Sequence, residues 1–559
     1  MTAAPLAWRP GQAPLAALLL GLMFAAGVYG MRVLDPTSHA WLLHGDPAQH
    51  YIGAVYFLSE PWQWPPGAMQ GFGAAGASVM LTDSLPLLAL PAKALGMPAH
   101  WQYFGAWLYA CHALAAYAGA RLLLQLGCRP GQAVLGALFF TAAPVLLMRA
   151  YGHEALQGQF LLLAGLALAF GPWRGGAWLA LIVVAVLVHP YLAVMVFALA
   201  AAAAGAAWTT RQAGGGQLAA CAALASLAAG LTAYLAGYFG RGGEYSAAGH
   251  GFFSANLLTW FDPMAWAGFL AHFGRDVEQG HEWSLLLPGL GQATAGQYEG
   301  FAYLGAGMLL LVAIALFAGR RPDAAARPPT ASWVWLLVVC AVLALLAVSA
   351  RPSLGTRILL EVPLPVPVQW LLGMFRASGR FIWPLTFLLM AWALARVARL
   401  PGGTCWLALA LLIQSYDLSA KLSELRDRFR VGPPGIVAAP ASPVWADALR
   451  TCPRMQLLFW PGGGDAWITP ALAAAWSRAQ LSPASAARPS AQAEAQARAD
   501  IDAYRAGRGW REDTLYVLPQ DALAAVQAAP GFGQLDADGY VLFGTPRCLA
   551  ADRGAAAWE

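Results

Sequence analysis

The sequence predicts an α-helical polytopic membrane protein that carries a small soluble α/β domain at its C-terminus. The first observation is composition, because 59% of the 559 residues are hydrophobic and only 11% are charged, a balance that a soluble surface does not tolerate. The second is a series of apolar runs near the roughly 20 residues that cross a bilayer. The third is an abrupt change to a polar composition after residue 416.

The apolar runs give about eleven candidate spans. A further apolar stretch, "DSLPLLALPAKALGMPAHW", contains prolines and Lys93, so it is predicted to be an interfacial helix and not a twelfth span. The first run has no convincing small-residue cleavage site and is interpreted as a retained span. The eleven runs cover residues 15–30, 101–124, 133–148, 156–170, 177–188, 191–208, 218–238, 303–317, 333–348, 381–395 and 404–413.

The distribution of arginine orients these spans. Short cytoplasmic loops are expected to hold basic residues, and an inside N-terminus makes every cytoplasmic loop short and basic, including the one with Arg320, Arg321 and Arg327. The long loops 31–100, 239–302 and 350–380 then lie on the outer face, with most of the Asp, Glu and His of the transmembrane domain. The sequence therefore predicts a transmembrane domain over 1–416 and an outer domain over 417–559.

The tail has the pattern of a folded α/β domain. Its segments "MQLLFW", "TLYVLP" and "YVLFG" read as short buried strands, and "SAQAEAQARADIDAYRA" reads as a helix. Cys452 and Cys548 are the only two cysteines of this tail. A pair in an oxidising compartment favours a disulfide over a metal site.

Several classes of function are excluded by missing motifs. The chain has no Walker loop, dinucleotide fingerprint, Cys-x-x-Cys pair or nucleophile elbow, and no basic run that would bind nucleic acid. The polar outer loops must therefore carry the function. Polar residues concentrate in "LLHGDPAQHYIGAVYFLSE", "MRAYGHEALQGQF", the loop from "GHGFFSANLL" to "GQYEGFAYLG", and "MFRASGRFIWP".

This arrangement resembles the GT-C superfamily of integral membrane glycosyltransferases. The shared features are an N-inside first span, an acidic residue early in a long first outer loop, interfacial helices before the second span, and a soluble outer C-terminal domain. The strings "GDPAQHY", "TDSLPL", "GHEAL", "SANLL", "GQYEGF" and "FRASGRF" are more closely similar to a family of uncharacterised bacterial multispanning membrane proteins. The superfamily resemblance implies a polyprenyl-phosphate-linked sugar donor.

Such a transfer needs a carboxylate that takes a proton from the acceptor hydroxyl, and Asp46 is the candidate. It stands between Gly45 and Pro47, which favours an exposed turn. The alternative is structural, with Asp46 capping the helix predicted for "PAQHYIGAVYFL" and Pro47 at its first position. Glu154 and His153, at the end of a span on the same face, are expected to complete the catalytic group.

The remaining candidates bind substrate. Arg376 and Arg380, four residues apart, are expected on one helical face where they grip the donor phosphate, with Lys93 as a third cation; the alternative is contact with lipid headgroups. His50, Tyr298 and Glu299 are expected to bind substrate. His44 and His50 leave a divalent metal open as a cofactor, although interfacial hydrogen bonding is favoured for both.

The resemblance thus implies a glycosyltransferase of the bacterial inner (cytoplasmic) membrane. It moves a sugar from the lipid-linked donor to an envelope glycan, lipid or protein acceptor on the periplasmic face, where the C-terminal domain also lies. One alternative is a transporter or flippase for a lipid-linked sugar, but its coupling carboxylates are expected within spans, and here the carboxylates crowd one face. The other is a non-catalytic envelope assembly protein. Membrane lipids are partners in each case, and nucleic acid in none.

Overall fold

The computed structural model describes residues 11–239, 246, 248–264, 282–318, 329–433, 435–484 and 491–549. Most of these residues are helical. In chain order the α-helices are α1 Gln12–Tyr29, α2 Gly45–Ser59, α3 Pro86–Ala94, α4 Phe104–Gln125, α5 Pro130–Thr141, α6 Pro144–Leu147, α7 Phe160–Ala169, α8 Gly175–Val188, α9 Pro190–Thr209, α10 Gly215–Leu235, α11 Ala306–Phe317, α12 Thr330–Val348, α13 Val366–Gly373, α14 Trp383–Ala398, α15 Gly403–Asp417, α16 Ser419–Arg430, α17 Val444–Thr451, α18 Ile468–Trp476, α19 Ala491–Arg505 and α20 Pro546–Leu549.

Short strands and 3-10 turns complete the described structure. The strands are β1 Ala68–Met69, β2 Ala77–Ser78, β3 Ser353–Leu354, β4 Arg357–Ile358, β5 Arg454–Leu457, β6 Gln480–Ser482, β7 Thr514–Pro519, β8 Gly533–Ala537 and β9 Tyr540–Gly544. The 3-10 turns are Arg32–Leu34, Ala40–Leu42, Met148–Tyr151, Glu154–Gln157, Ala295–Gly300, Ser378–Ile382, Pro461–Gly463 and Gln520–Ala525.

Among the described residues, five helices are long and apolar enough to cross a membrane. The number of candidate spans rises to six if the bent pair Pro130–Thr141 and Pro144–Tyr151 forms one span. The protein is therefore membrane-embedded, but the predicted count of about eleven spans is not supported. The five are Gln12–Tyr29, Pro190–Thr209, Gly215–Leu235, Thr330–Val348 and Ser378–Ala398.

The count falls because several apolar runs form helices that are too short or too polar. Glu154–Ala169, Gly175–Val188 and Ala306–Phe317 have 10–17 residues, fewer than the roughly 20 that cross the hydrocarbon core. Helix α4 has 22 residues, but it contains His112 and Arg121 and is not among the five. Three arginines on which the predicted orientation depends lie outside the described residues, namely Arg320, Arg321 and Arg327.

The described chain forms two compact units. The first comprises residues 11–31, 106–229 and 246–430, and the second comprises 32–105, 230–239 and 431–549, each within the described ranges. The sequence placed the loop 31–100 with the transmembrane domain and began the outer domain at residue 417. In the structure nearly all of that loop belongs with the C-terminal segment, and α16 belongs with the helices of the first unit.

The first unit is a helical assembly in which small residues allow close packing. Helix α9 packs against α7, α8 and α12, and α11 packs against α14 and α15. A Cβ added at Gly205 would lie 2.6 Å from the ring of Trp335, and one at Gly307 would lie 2.0 Å from the carbonyl oxygen of Ala410. Such small residues are typical of helix interfaces in membranes, where close backbone approach replaces the hydrophobic effect as the source of attraction.

The second unit contains a five-stranded mixed sheet with the order β6-β5-β7-β9-β8. Strands β5, β6 and β7 are parallel, β9 is antiparallel to β7 and β8, and α18 and α19 lie between the parallel strands along the chain. The predicted segments "TLYVLP" and "YVLFG" are β7 and β9, and "MQLLFW" begins within β5. Alternate apolar side chains such as Tyr516 and Val541 are fully buried and form the core beneath this sheet.

Other contacts tie the loop 32–105 to this sheet. The Tyr56 hydroxyl donates a hydrogen bond to the carbonyl oxygen of Ala479 at 2.9 Å, and the amide of Leu481 donates to Gly71 at 2.8 Å. Cys452 and Cys548, the pair for which the sequence predicts a disulfide, are joined by one, with their Cα atoms 5.6 Å apart. The second unit therefore combines segments distant in sequence, and α2 is positioned by the C-terminal segment.

Candidate functional site

A buried carboxylate in the first unit binds two arginines. Arg149 Nη1 lies 2.8 Å from Glu299 Oε2, and Arg149 Nη2 donates to the Glu299 carbonyl oxygen at 3.2 Å. Arg380 donates to both carboxylate oxygens of Glu299, with its Nε 2.9 Å from Oε2 and its Nη2 2.5 Å from Oε1. All three side chains are buried, with exposed fractions of 3% for Arg149, 9% for Arg380 and 5% for Glu299. We call these three residues the arginine–glutamate cluster.

Three turns from distant parts of the sequence build this cluster. Arg149, Glu299 and Arg380 lie on the 3-10 turns Met148–Tyr151, Ala295–Gly300 and Ser378–Ile382. The last two turns touch through glycines, because a Cβ added at Gly379 would lie 2.6 Å from the Gly300 Cα atom. The glycines of "GQYEGF" and "FRASGRF" therefore allow the backbone approach that brings Glu299 to Arg380.

Aromatic rings hold the flat faces of both guanidinium groups. The Arg149 Cζ atom lies 5.1 Å from the centre of the Trp383 ring, and the Arg380 Cζ atom lies 4.7 Å from that of Tyr191. The Tyr191 hydroxyl accepts a hydrogen bond from the amide of Ala377 at 2.9 Å, which fixes the ring. A planar guanidinium suits this combination of stacking and paired hydrogen bonds, and a lysine does not.

The electrostatics of the cluster favour a charged carboxylate. Burial alone would raise the pKa of the Glu299 carboxyl, but Arg380 and Arg149 outweigh it and hold that pKa well below its usual range. Two guanidinium charges and one carboxylate charge leave a net charge of +1 in the cluster. On one side His153, 29% exposed, places its Nε2 3.7 Å from Glu299 Oε1, and its Nδ1 lies 2.6 Å from the Gly152 carbonyl oxygen.

The predicted arginine pair is separated in the structure. Arg376 and Arg380 do not share a face of one α-helix, because α14 begins only at Trp383 and Arg380 lies on a 3-10 turn. Arg380 is held by Glu299, whereas Arg376 is partly exposed and lies 5.5 Å from the Phe253 ring centre. The Phe253 and Tyr298 rings pack edge to face, with their centres 6.3 Å apart.

Tyr298, Phe253 and Arg376 thus form an aromatic and cationic group beside the cluster, which we call the Arg376 group. Tyr298 is partly buried and directly precedes Glu299 in the chain. Glu299, predicted to bind substrate, is fully engaged with the two arginines and is only 3% exposed. Its role in this arrangement is to position Arg149 and Arg380.

Asp46 lies in the first turn of α2, in the second unit. It is exposed, and the position before the first residue of α2 is His44, whose side chain makes no capping hydrogen bond. Gly45 has a left-handed backbone with a φ of 45°, so the regular helix begins after it, and the capping alternative for Asp46 stays a prediction. The Gly45 amide donates a hydrogen bond to Asp465 at 3.1 Å. A carboxylate in the first turn, such as that of Asp46, is favourable to the helix dipole.

The other candidates of the second unit are more buried. His44 is 4% exposed and His50 is 2% exposed, with its ring 6.5 Å from that of Phe104. Lys93 Nζ lies 4.2 Å and 4.9 Å from the ring centres of Phe57 and Trp62. Within the described ranges, no three residues of the His, Cys, Asp and Glu types are placed to hold a metal ion together.

Glu154 and His153 belong to the first unit and Asp46 to the second. Glu154 is 1% exposed and begins the turn Glu154–Gln157, and its carbonyl oxygen accepts a hydrogen bond from Trp107 Nε1 at 2.7 Å. His153 lies beside the arginine–glutamate cluster, and Glu154 is the residue after His153 in the chain. The expectation that these two residues face Asp46 stays a prediction.

A second buried ionic group was missed by the sequence reasoning. Lys421 Nζ donates to Glu424 Oε2 at 2.7 Å, and the Tyr151 hydroxyl donates to Glu424 Oε1 at 2.8 Å. Burial lowers the pKa of Lys421 to about 8, against the attraction of Glu424. Lys421 and Glu424 were assigned to the outer tail, and Arg149 and Tyr151 were not singled out within "MRAYGHEALQGQF". The available signal was the alternation of polar residues along Arg149, Tyr151 and His153.

A buried aspartate ends α15 nearby in the same unit. Asp417 accepts hydrogen bonds from the Ser284 and Tyr303 hydroxyls and from the amide of Ala306, the last two at 2.8 and 2.9 Å. It is 1% exposed. These bonds fasten the returning end of the loop 239–302 to α15, which supports the turn carrying Glu299.

Comparison with known proteins identifies a family but no activity. The family model described as "Domain of unknown function (DUF6311)" matches residues 18–419. No curated protein matches the chain. The matched range includes the arginine–glutamate cluster, the Arg376 group and Asp46.

Proposed function

The chain belongs to the DUF6311 family, and we propose that it is a membrane glycosyltransferase of the GT-C kind. It transfers a sugar from a polyprenyl-phosphate-linked donor to an envelope glycan, lipid or protein acceptor. The reaction takes place on the periplasmic face of the bacterial inner membrane, and the five-stranded sheet lies in the periplasm. No metal is assigned to the reaction.

The observation that carries this proposal is the convergence of three polar segments in one unit. "MRAYGHE", "GQYEGF" and "FRASGRF" are far apart in the sequence, yet they form the arginine–glutamate cluster and the Arg376 group. Buried charged groups with strongly perturbed pKa values concentrate at functional sites. The net positive charge and the aromatic rings suit a ligand that joins a phosphate to a sugar.

In the proposed reaction, Asp46 accepts the proton of the acceptor hydroxyl as that oxygen bonds to the anomeric carbon of the sugar. The bond between the anomeric carbon and the donor phosphate oxygen breaks, and the phosphate leaves with the electron pair. Arg376 and Lys93 stabilise the leaving phosphate. The exposure of Asp46 supports this role.

The residues around Arg376 have supporting roles. Tyr298 stacks on the sugar, and His50 contributes to substrate binding from α2. Glu299 fixes Arg380 and Arg149, so that their charge lies at a constant position beside Tyr298. His153 and Glu154 are the further catalytic candidates of the first unit, and His153 is the more exposed of the two.

The competing function is transport of a lipid-linked sugar. The five described helices that are long enough to span contain no Asp or Glu, and ion-coupled transporters use such residues within their spans. This observation favours the transferase. A non-catalytic role in envelope assembly would not need the buried charges of the arginine–glutamate cluster, so it does not account for them.

The decisive experiment uses purified protein in detergent with lipid-linked sugars extracted from the source membranes. A glycosyltransferase forms new glycosidic bonds there, detected by mass spectrometry, because the reaction needs no separate compartments. A transporter gives no product in detergent. Comparison of envelope glycans from wild-type and deletion strains identifies the acceptor, and identical glycans in both strains would contradict the transferase proposal.

The location of the C-terminal domain has its own test. A reporter that fluoresces only in the cytoplasm, fused after Glu559, is expected to stay dark, because the domain lies in the periplasm. The same reporter fused to a cytoplasmic protein in the same strain is the control. Bright fluorescence of the Glu559 fusion would place the domain, and the proposed reaction with it, on the other face.

A further inference from the structure

The connection between helices α12 and α14 exposes an unusual apolar surface. All but two of residues 354–371 are exposed, and the segment reads "LGTRILLEVPLPVPVQWL". Its large side chains are more than half exposed at several positions, including Leu359 and Leu360 at 56%, Val366 at 76%, and Trp370 and Leu371 at 55%. Exposed apolar surfaces of this extent mark interaction sites.

The backbone of this connection is nevertheless well organised. Strands β3 and β4 form an antiparallel pair, and the amides of Leu359 and Val362 donate to the carbonyl oxygens of Pro352 and Ala350 at 2.8 and 2.9 Å. Helix α13 follows, with its first turn after Pro365. These backbone hydrogen bonds therefore keep the apolar side chains at the surface, where they do not pack into the core of the first unit.

A second loop of the same unit extends this surface. The segment around Leu285, Leu286 and Leu290 is also exposed, at 49%, 48% and 40% for these residues. It touches the β3–β4 turn, because a Cβ added at Gly355 would lie 3.6 Å from the Leu290 carbonyl oxygen, and one at Gly291 would lie 2.9 Å from Thr356 Cγ2. The exposed apolar residues of both loops form one surface.

The position of the connection in the chain identifies what covers this surface. It runs between Thr330–Val348 and Ser378–Ala398, two helices that are long and apolar enough to cross a membrane. A chain that leaves the bilayer after one span and enters it again at the next has both ends at the same face. The connection is too interrupted to span by itself, since α13 has 8 residues and prolines stand at 363, 365 and 367.

We propose that residues 354–371 lie in the membrane–water interface, with their apolar side chains among the upper acyl chains and glycerol groups of bilayer lipids. Trp370 suits this position because tryptophan is enriched at bilayer interfaces. The two charged residues of the segment, Arg357 and Glu361, are both exposed, and Glu361 pairs with Arg351 at the start of the connection. These charges remain in the headgroup region.

Contact of this segment with lipid does not depend on the reaction that the protein performs. It bears on the proposed function only at Arg376, which follows the end of α13 at Gly373 by three positions. A lipid-borne phosphate at the interface would meet Arg376 without leaving the headgroup layer.

The test is site-specific photocrosslinking of the full-length protein in vesicles of phosphatidylethanolamine and phosphatidylglycerol. p-Benzoylphenylalanine replaces Trp370 in one variant and Leu360 in another, both at exposed positions where folding does not depend on the side chain. Leu337, 50% exposed on α12, is the positive control, and Leu535, 37% exposed on β8, is the negative control. Intact-mass spectrometry detects the adducts.

We expect lipid adducts at positions 360 and 370 in yields comparable to position 337 and at least about tenfold above position 535. Fragmentation should locate the attachment at glycerol and upper acyl carbons. Three outcomes would overturn the proposal: no lipid adduct at 360 and 370 while 337 reacts, a covalent dimer of the chain instead of a lipid adduct, or attachment concentrated at the acyl-chain ends.

Discussion

Arg380 donates two hydrogen bonds to the carboxylate of Glu299, from Nε at 2.9 Å and from Nη2 at 2.5 Å. Arg149 reaches the same carboxylate at 2.8 Å. This paired geometry fixes both the position and the rotation of the Arg380 guanidinium. Glu299 is therefore the residue on which the charge arrangement of the proposed site depends, although the sequence placed it among the substrate contacts.

Replacing Glu299 should destabilise the first unit strongly. Glu299→Gln retains the size of the side chain but leaves two buried guanidinium groups without a compensating charge. We expect a loss of about 3–5 kcal/mol in the free energy of unfolding, measured by thermal unfolding in detergent.

The matched control is Glu361→Gln, which removes the partner of Arg351 in a pair whose side chains are 41% and 61% exposed. Exposed pairs contribute about 0–1 kcal/mol. Equal losses in the two variants would contradict a special role for the buried carboxylate.

Lys421 should make the protein more stable at alkaline pH. Its pKa is about 8 in the folded protein, below the ordinary value of 10.5, so between these two values the unfolded chain binds more protons than the folded one. The free energy of unfolding should therefore rise by up to about 3 kcal/mol as the pH increases through this range. Urea unfolding in detergent at several pH values measures the rise.

Lys421→Met retains the aliphatic stem and removes the titrating group. The difference in stability between wild type and this variant isolates Lys421 from the other residues that titrate between pH 8 and 10.5. Parallel pH profiles of the two proteins would show that Lys421 titrates normally.

Asp46→Asn should abolish most of the sugar transfer while the protein remains folded. The substitution removes the proposed base without changing the side-chain volume, and a lost general base costs about 100-fold or more in rate. The stability change should be small, because Asp46 is exposed and asparagine caps a helix as well as aspartate does. Product formation in detergent and thermal unfolding are the two measurements.

Asp465→Ala provides the opposite profile. Asp465 accepts the hydrogen bond from the Gly45 amide at the start of α2, so its removal should lower stability by about 1 kcal/mol and leave the rate of sugar transfer measurable. An Asp46→Asn protein with normal transfer would return Asp46 to a structural role and assign the base to Glu154.

Arg376→Ala should weaken binding of the donor more than it slows the chemical step. A charge-assisted hydrogen bond to phosphate contributes about 1.5–3 kcal/mol, which corresponds to a tenfold to hundredfold increase in the donor concentration at half-maximal rate. Steady-state kinetics with varied donor measure this change. Arg357→Ala, at an exposed arginine on β4, is the control and should leave the donor requirement unaltered.

The arrangement of membrane helices was only partly accessible from sequence. Hydropathy located the helices, because each predicted run overlaps a helix in the structure. It did not give the number of spans, because helix length depends on where the chain breaks, as at His189 between α8 and α9. Composition reports how apolar a run is, whereas its end is set by local backbone geometry and by packing.

The sequence by itself determined the membrane class, the strands of the C-terminal sheet and the candidate motifs. These follow from local composition and from short, continuous apolar runs, which each segment carries alone. Only the tertiary structure paired Glu299 with Arg149, 150 positions away, and separated Arg380 from Arg376. Such pairings depend on the close approach of turns at Gly300 and Gly379, and no local pattern encodes which distant turns will meet.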